Sequence, residues 1–319
     1  MDISAINWVK VAMEICADCL DNSKIKPLKI TNDMNTGTLS PAQIAAYHKD
    51  GYINAAGLFT KEEIALLRRA AKEDRALDQH SFSKDDGTGA NVRLALWNHP
   101  GDGIYGMFAR SHKLVDSVEQ LLGEEVYHYH SKMIMKDAKV GGAWAWHQDY
   151  GYWYQNGVLK PDLCSVFIAV DQCTVENGCL QVLKGSQTIG RVDHILTGDQ
   201  AGADMERVEV AKQRMELVHC VMNPGDALFF HGNLLHASDR NNSENPRWSM
   251  ICCYNAKSND PYKESHHPRY TPLSKVSDDM ILKTGIKRFE DDVSNVAWLD
   301  QKKDESARSL AANIETQAT

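Results

Sequence analysis

The sequence lacks any excess of basic residues. Lysine and arginine total 35 against 43 for aspartate and glutamate, so the formal net charge at pH 7 is -8. A protein that covers nucleic acid phosphates usually carries a basic face or stripe. We therefore expect no nucleic acid partner.

The chain also lacks an apolar run long enough for a membrane span, which needs about 18 or more consecutive residues. Its N-terminus carries the acidic Asp2 and no basic segment, unlike a secretory signal. The eight cysteines do not form a metal-binding quartet. Cys16 and Cys19 have redox-motif spacing, but no predicted strand precedes them. We therefore expect a cytoplasmic protein with reduced thiols and no membrane partner.

No internal repeat is visible, and composition divides the chain into three parts. Residues 1–38 are predicted to form an N-terminal helix and a polar linker, in which Met34 is an alternative start. Residues 39–300 are predicted to form a single domain, with a β-core at about 126–256. Residues 301–319 form a polar tail.

Helix signals dominate the first part of this domain. Ser40 before a proline is typical of a helix start, and Thr60 with Glu63 matches a capping box. Helices are predicted over 41–49, from residue 60 onward, and over 108–122. Residues 75–103 are predicted to be a long loop, interrupted by an apolar run at 92–97.

From residue 126 onward the pattern changes to short runs rich in valine, isoleucine and aromatic residues. Glycine, proline, asparagine and aspartate separate these runs. Six or more such runs at short intervals are typical of an antiparallel sandwich or barrel. We therefore predict a mainly β fold with flanking helices.

A histidine and an aspartate two residues apart, His147 and Asp149, follow an aromatic strand-like run. Residues two apart on a strand point to the same face, so both side chains can reach one metal ion. His48 and Asp50 have the same spacing but end a predicted helix, where such positions diverge. The strand context therefore favours the first pair.

A third ligand is available from a run that contains His231 and His236. Two histidines and one carboxylate form the triad that leaves positions open on Fe(II), whereas structural zinc has a closed shell of four protein ligands. Oxygen needs one open position, and a bidentate oxo-acid takes two.

Arg247 follows His236 by eleven residues, across a turn-rich stretch at 239–246 that suggests a hairpin. Strand pairing would return Arg247 to the metal, where its planar guanidinium binds a carboxylate through two hydrogen bonds. Ser238 and Ser249 are candidate donors to the same carboxylate.

Together, these motifs resemble the phytanoyl-CoA dioxygenase family. The resemblance rests on His147-x-Asp149, the run PGDALFFHGNLLHAS with His236, Arg247, and the run ENGCLQVLKGS, and it covers about residues 40–256. It implies a double-stranded β-helix, or jelly-roll, core that uses Fe(II), 2-oxoglutarate and O2. By position, the two histidines and the aspartate would bind iron, and Arg247 would anchor 2-oxoglutarate.

Within the family, the segment WHQDYGYWYQNG is similar to bacterial ectoine hydroxylases. This similarity implies that Trp153 lies near the substrate and that Phe230 lines the pocket. It also implies that Trp144 and Ser238 flank 2-oxoglutarate. At position 187 this chain has glutamine where many family members have histidine, but this position is not one of the predicted metal ligands.

The similarity fails at His130 and Lys132, where ectoine hydroxylases carry glutamine and arginine. These two residues, with Arg93, would instead give the pocket a positive wall. The predicted substrate is a small anionic or zwitterionic metabolite, such as an amino acid, an aminophosphonate or an ectoine-like compound. Its hydroxylation would release succinate and CO2.

Two other functions are compatible with the same residues. One is a non-catalytic jelly-roll module with a structural metal, and the other is a non-oxidative metalloenzyme that uses the same triad. A small-molecule substrate is the expected partner, and a homodimer is one assembly that the sequence allows.

Overall fold

The computed structural model describes residues 39–197, 199–286 and 296–303. The predicted N-terminal helix and linker, the Cys16 and Cys19 pair, and Met34 lie outside the described residues. The same holds for the predicted tail beyond a short 3-10 turn at Gln301–Lys303. The domain boundaries therefore stay a prediction.

The helices of the described residues lie mainly in the first third of the chain. They are α1 (Pro41–Asp50), α2 (Lys61–Glu73), α3 (Arg75–Gln79), α4 (Ile104–Arg110), α5 (His112–Leu122), α6 (Asp149–Trp153), α7 (Met205–Arg214) and α8 (Met280–Gly285). Within these ranges, no helix combines the length and apolar character that crossing a membrane requires.

The strands begin within the helical region and dominate after it. They are β1 (Tyr52–Ala55), β2 (Phe82–Asp85), β3 (Asn91–Trp97), β4 (Val126–Lys136), β5 (Trp144–His147), β6 (Leu163–Ala169), β7 (Leu180–Leu183), β8 (His194–Thr197), β9 (Gln200–Ala203), β10 (Leu217–Cys220), β11 (Ala227–His231), β12 (His236–Ser238) and β13 (Arg247–Ala256). The prediction of a mainly β fold with flanking helices is confirmed.

The strands form two principal antiparallel sheets. The larger has the order β1-β11-β6-β13-β4-β3-β2, and the smaller has the order β10-β7-β12-β5. Strands β8 and β9 form a separate pair. Most neighbours within each sheet are distant in sequence, so residues from far parts of the chain meet side by side.

Side chains of the large sheet alternate between two hydrophobic clusters. On β13, Trp248 packs in the cluster that includes the N-terminal helices, whereas Ile251 packs with Leu180 of the small sheet. Because strand side chains alternate, Arg247 lies on the same face as Ile251. The space between the two sheets therefore contains the polar residues predicted to form the site.

The two predicted helix starts are confirmed, and the structure shows a capping box at each, although one was predicted only at Thr60. Ser40 accepts a hydrogen bond from the backbone of Gln43, and Thr60 accepts one from Glu63. The helix predicted over 108–122 is instead α4 and α5, because Ser111 is extended at φ -61° and ψ 142°. The predicted loop at 75–103 contains α3 and a full strand, β3, which pairs with β2 and β4.

The stretch at 239–246 does not form the predicted hairpin. Strand β12 pairs with β5 and β7 in the small sheet, whereas β13 pairs with β4 and β6 in the large sheet. The connection therefore crosses from one sheet to the other. Arg247 still returns to the interior that contains His236, by a route other than strand pairing.

Candidate metal centre and cavities

His147, Asp149 and His236 converge in the interior between the sheets. Their ligand atoms lie within 4.8 Å of one another, and none of the three residues is more than 3% exposed. Nε2 of His147 is 3.7 Å from Oδ1 of Asp149, and Nε2 of His236 is 3.9 Å from the same oxygen. The structure therefore brings the three residues together as a candidate metal site.

Strand pairing and one extended residue produce this convergence. His236 on β12 pairs directly with His147, the last residue of β5. Asp149 is the first residue of α6 and not a strand residue, which corrects the predicted strand context. The intervening Gln148 is extended at φ -114° and ψ 134°, so His147 and Asp149 still face the same side.

Backbone carbonyls orient both imidazoles. Nδ1 of His147 lies 2.8 Å from the carbonyl of Ala145, and Nδ1 of His236 lies 2.9 Å from that of Leu234. Because a carbonyl can only accept, each Nδ1 carries a proton. Burial lowers the pKa of both histidines, most strongly for His147. Both observations favour the neutral ring with a free lone pair on Nε2, the form that binds a metal ion.

The carboxylate of Asp149 also fits a metal ion. Its buried Oδ1 has no hydrogen-bond partner among the described residues. A buried, unpartnered carboxylate oxygen is costly, and a cation at this position removes the cost. The donor set of two imidazoles and one carboxylate is the one that Fe(II) oxygenases use.

A cavity of about 450 Å³, here called the inner cavity, extends from His147 and His236 to Arg247. Arg247 is 1% exposed, with Nη2 2.9 Å from the carbonyl of Gly178 and Nη1 3.3 Å from Oγ of Ser249. Among the described residues, no carboxylate lies within 4.0 Å of its guanidinium. A buried cation without a counter-ion favours an anionic ligand.

Lys136 also lines the inner cavity, although it is not among the site residues predicted from the sequence. It is fully buried, pairs with Arg247 across β4 and β13, and donates to Oγ of Ser238 at 2.8 Å. Burial lowers its pKa, and the nearby Arg247 lowers it further. Residues four apart on a strand share a face, so the position of Lys132 on β4 predicts that Lys136 faces the same side.

A second cavity of about 560 Å³, here called the outer cavity, reaches Asp149 from the other side. His130, Lys132 and Trp153 line it, as predicted for the substrate pocket. Nδ1 of His130 is buried without a hydrogen-bond partner among the described residues. Lys132 and Trp144 line both cavities, so the candidate metal site lies where the cavities meet.

His267 is a further outer-cavity residue that the sequence analysis missed. Its ring stacks on His130 at 4.7 Å between centroids, and its Nδ1 is 3.2 Å from Oδ1 of Asn98. It lies in a loop after β13 whose ends are joined by hydrogen bonds from Arg269 and Tyr270 to Asp260. No sequence motif marks this loop.

The structure does not bring Arg93 to either cavity. It lies on the opposite face of β3 from Leu94, which lines the outer cavity. Its guanidinium is 2.8 Å from Asp78 and stands over the ring of Trp248 at 5.5 Å. The assignment of Arg93 to the positive wall is therefore corrected, because strand alternation directs it towards the helices.

Three other predicted residues, Phe230, Ser238 and Trp144, line the inner cavity. The Phe230 ring lies 4.8 Å from that of His236. Phe230 is thus placed beside the predicted 2-oxoglutarate site and not in the outer cavity. His231 lies outside the candidate metal site, where its Nδ1 accepts from the backbone of Asn233.

Two histidines and one carboxylate that converge beside a cavity inside a jelly roll are typical of one class of enzyme, the mononuclear iron oxygenases. The phytanoyl-CoA dioxygenase (PhyH) family model matches residues 47–249. The chain therefore belongs to the phytanoyl-CoA dioxygenase family.

Relatives and solved structures agree with this assignment. The chain is 30% identical over 231 residues to L-proline trans-4-hydroxylase of Streptomyces griseoviridis, covering 67% of this chain and 86% of the relative. It is 27% identical over 259 residues to the ectoine dioxygenase of Sphingopyxis alaskensis, covering 76% and 84%. The crystal structure of EctD from S. alaskensis with bound Fe matches with a TM-score of 0.65 at 25% identity, covering 76% of this chain and 89% of that chain.

These comparisons confirm the predicted family, its ectoine-hydroxylase-like branch and the jelly-roll core. They also confirm the predicted enzyme class, a dioxygenase that depends on Fe(II), 2-oxoglutarate and O2. The non-catalytic module and the non-oxidative metalloenzyme are thereby set aside.

Proposed function

We propose that this enzyme hydroxylates a small zwitterionic or anionic metabolite and releases succinate and CO2. The observation that carries the proposal is the meeting of two chemically different cavities at one candidate metal site. The inner cavity suits a dicarboxylate, and the outer cavity suits a small molecule with an acidic group. Amino acids, aminophosphonates and ectoine-like compounds are the substrate classes.

In this proposal, His147, Asp149 and His236 hold Fe(II), which with 2-oxoglutarate supplies the oxidising power for C–H hydroxylation. Arg247 binds the far carboxylate of 2-oxoglutarate, with Ser238, Ser249 and Trp144 beside it. Burial of the guanidinium excludes competing water and strengthens this ion pair.

The outer cavity supports an acidic substrate with an apolar or cationic body. Lys132 contributes a positive charge, and among the described residues no carboxylate lies within 4.0 Å of it. The His130 imidazole supplies a hydrogen-bonding group. The Trp153 ring lies 5.6 Å from that of His130 and forms an aromatic wall. Aromatic faces attract cations, so a zwitterion with a positive nitrogen fits both sides of the cavity.

Relatives support the same substrate class by their names. An L-proline hydroxylase and ectoine dioxygenases both act on small cyclic zwitterions, which are plausible probes for this chain. His130 and Lys132 differ from the residues expected for ectoine hydroxylases, so we rank amino acids and aminophosphonates ahead of ectoine.

A succinate-release screen tests the proposal. The protein is supplied with Fe(II), 2-oxoglutarate and O2, and each candidate acid is compared with its neutral amide. We expect substrate-dependent succinate formation with at least one zwitterion or anion and a weaker response to its amide. Release with neutral compounds alone, or with none of the panel, would contradict the proposal.

A variant pair ties the screen to the outer cavity. For the substrate found, His130→Phe should raise KM about 10-fold, because a hydrogen bond to a charged group is lost. His219→Phe on the exposed edge strand β10 makes the same chemical change away from both cavities. It should leave KM unchanged.

A further inference from the structure

Ser165 lies directly behind the candidate ligand Asp149. It belongs to β6, its side chain is fully buried, and its Oγ is 2.6 Å from Oδ2 of Asp149. An ionised carboxylate only accepts hydrogen bonds, so the serine hydroxyl is the donor. A short hydroxyl–carboxylate contact is of the strong, charge-assisted kind.

The two oxygens of Asp149 therefore differ. Oδ2 is occupied by Ser165, whereas Oδ1 has no hydrogen-bond partner among the described residues. Oδ1 is also the oxygen that faces Nε2 of His147 and of His236. Only one oxygen of the carboxylate is left for a metal ion.

Cys253 fixes the direction of the hydroxyl from the other side. Its Sγ is 3.3 Å from Oγ of Ser165, on the neighbouring strand β13. Burial raises the pKa of this thiol, so it keeps its proton. The thiol then donates weakly to the serine oxygen, and the serine proton is directed at Asp149.

The number of oxygens that Asp149 offers decides how many metal positions stay open. Three protein ligand atoms leave three positions on a six-coordinate ion, of which 2-oxoglutarate needs two and O2 needs the third. A carboxylate that binds through both oxygens takes that third position. We propose that Ser165 is a positioning residue that reserves Oδ2 of Asp149 and thereby keeps the third metal position open for O2. This inference rests on the proposed ligand set and is independent of the substrate.

The test compares the binding of metal, 2-oxoglutarate and nitric oxide in Ser165→Ala, with nitric oxide as the probe of the O2 position. Fe(II) and Co(II) are titrated into the metal-free protein without oxygen, 2-oxoglutarate is then titrated into the metal-loaded protein, and nitric oxide is titrated into the complex with Fe(II) and 2-oxoglutarate. We expect affinities for the metal and for 2-oxoglutarate within a few-fold of the wild type, and nitric oxide affinity reduced about 10- to 100-fold, a size typical of a lost hydrogen bond behind a metal ligand. We also expect an altered visible absorption spectrum of the Co(II) protein, which a role in packing alone would not produce.

Two further variants separate this effect from general disturbance. Ser165→Thr keeps the hydroxyl and should restore most of the nitric oxide affinity. Ser131→Ala removes another fully buried serine hydroxyl, one that contacts His128 at 2.7 Å, and should change none of the three affinities.

Three results would overturn the proposal. They are wild-type affinities and spectrum in Ser165→Ala, a loss of metal affinity with unchanged nitric oxide affinity, or a loss of 2-oxoglutarate affinity as large as the loss of nitric oxide affinity. The readout requires no substrate, so it is distinct from a failure of the succinate screen, which bears on the proposed substrate class alone.

Discussion

Replacing Arg247 with methionine tests the proposed role of the inner cavity. Methionine keeps an apolar stem of similar length but removes the guanidinium, which is 1% exposed and has no carboxylate within 4.0 Å among the described residues. Removing one partner of a buried ion pair costs about 3–5 kcal/mol. Since about 1.4 kcal/mol is tenfold, KM for 2-oxoglutarate should rise by roughly 100- to 4,000-fold. Without the ligand, the variant loses an unpaired buried charge, so its thermal midpoint should not fall.

The assay measures substrate-dependent succinate release against 2-oxoglutarate concentration, together with thermal unfolding of the metal-free protein. Arg93→Met is the matched control, because Arg93 lies on the outer face of the large sheet and pairs with Asp78. An unchanged KM for 2-oxoglutarate in Arg247→Met would refute the assignment. An equal rise in Arg93→Met would show that the effect is not specific to the cavity.

Three further predictions follow from the same geometry. Asp149→Ala should lose both turnover and bound iron, the latter measured by metal analysis after gel filtration. Asp50→Ala, in the helical His-x-Asp triplet, should keep both. Full retention of iron and turnover by Asp149→Ala would reject the role of Asp149 as a ligand. Lys136→Met should raise KM for 2-oxoglutarate about 10-fold and leave substrate KM unchanged, as expected for the loss of one hydrogen-bond donor; an unchanged KM for 2-oxoglutarate would remove Lys136 from the site. Burial lowers the pKa of His194 to about 4 in the folded protein. As the pH falls, this histidine therefore takes up a proton in the unfolded chain at a higher pH than in the folded protein. The metal-free protein should therefore lose about 2 kcal/mol of stability from this residue between pH 7 and pH 5; denaturant unfolding at both values measures this loss, and His194→Phe should reduce it.

The sequence predicted those features of the site that short patterns encode. His147, Asp149 and His236 meet as expected, because strand β12 pairs with β5 in the register that opposes the two histidines. Arg247 also lies in the interior with His236, as expected, but not through the predicted hairpin, because β12 and β13 belong to different sheets. The turn-rich stretch before it resembles a hairpin turn, but nothing in a single sequence tells which sheet the following strand joins.

Residues whose position depends on strand alternation were partly predictable. The prediction that Arg93 lines the substrate pocket was wrong because it rested on the positive charge alone and not on the alternation of side chains along β3. Leu94 faces the outer cavity, so Arg93 must face the other side. The same rule applied to Lys132 leads to Lys136, which the structure confirms as a lining residue of the inner cavity.

His267 and Ser165 were beyond sequence reasoning for different reasons. His267 reaches the outer cavity only because Asp260 closes its loop and Asn98 holds its ring. Both contacts join distant parts of the chain. Ser165 is one small residue in an apolar strand, and its importance depends on the 2.6 Å contact with a carboxylate that lies sixteen residues earlier.

The two His-x-Asp triplets of this chain show what turns a short motif into a candidate site. His48 and Asp50 end α1, where helical geometry separates their side chains, and Asp50 lies 3.5 Å from Lys184 in an ordinary ion pair. Between His147 and Asp149, the extended backbone of Gln148 keeps both side chains on one side. The decisive information is therefore the conformation of the middle residue and the identity of the strand that pairs beside it. Spacing alone supplies neither, because an identical spacing occurs in a helix of the same protein.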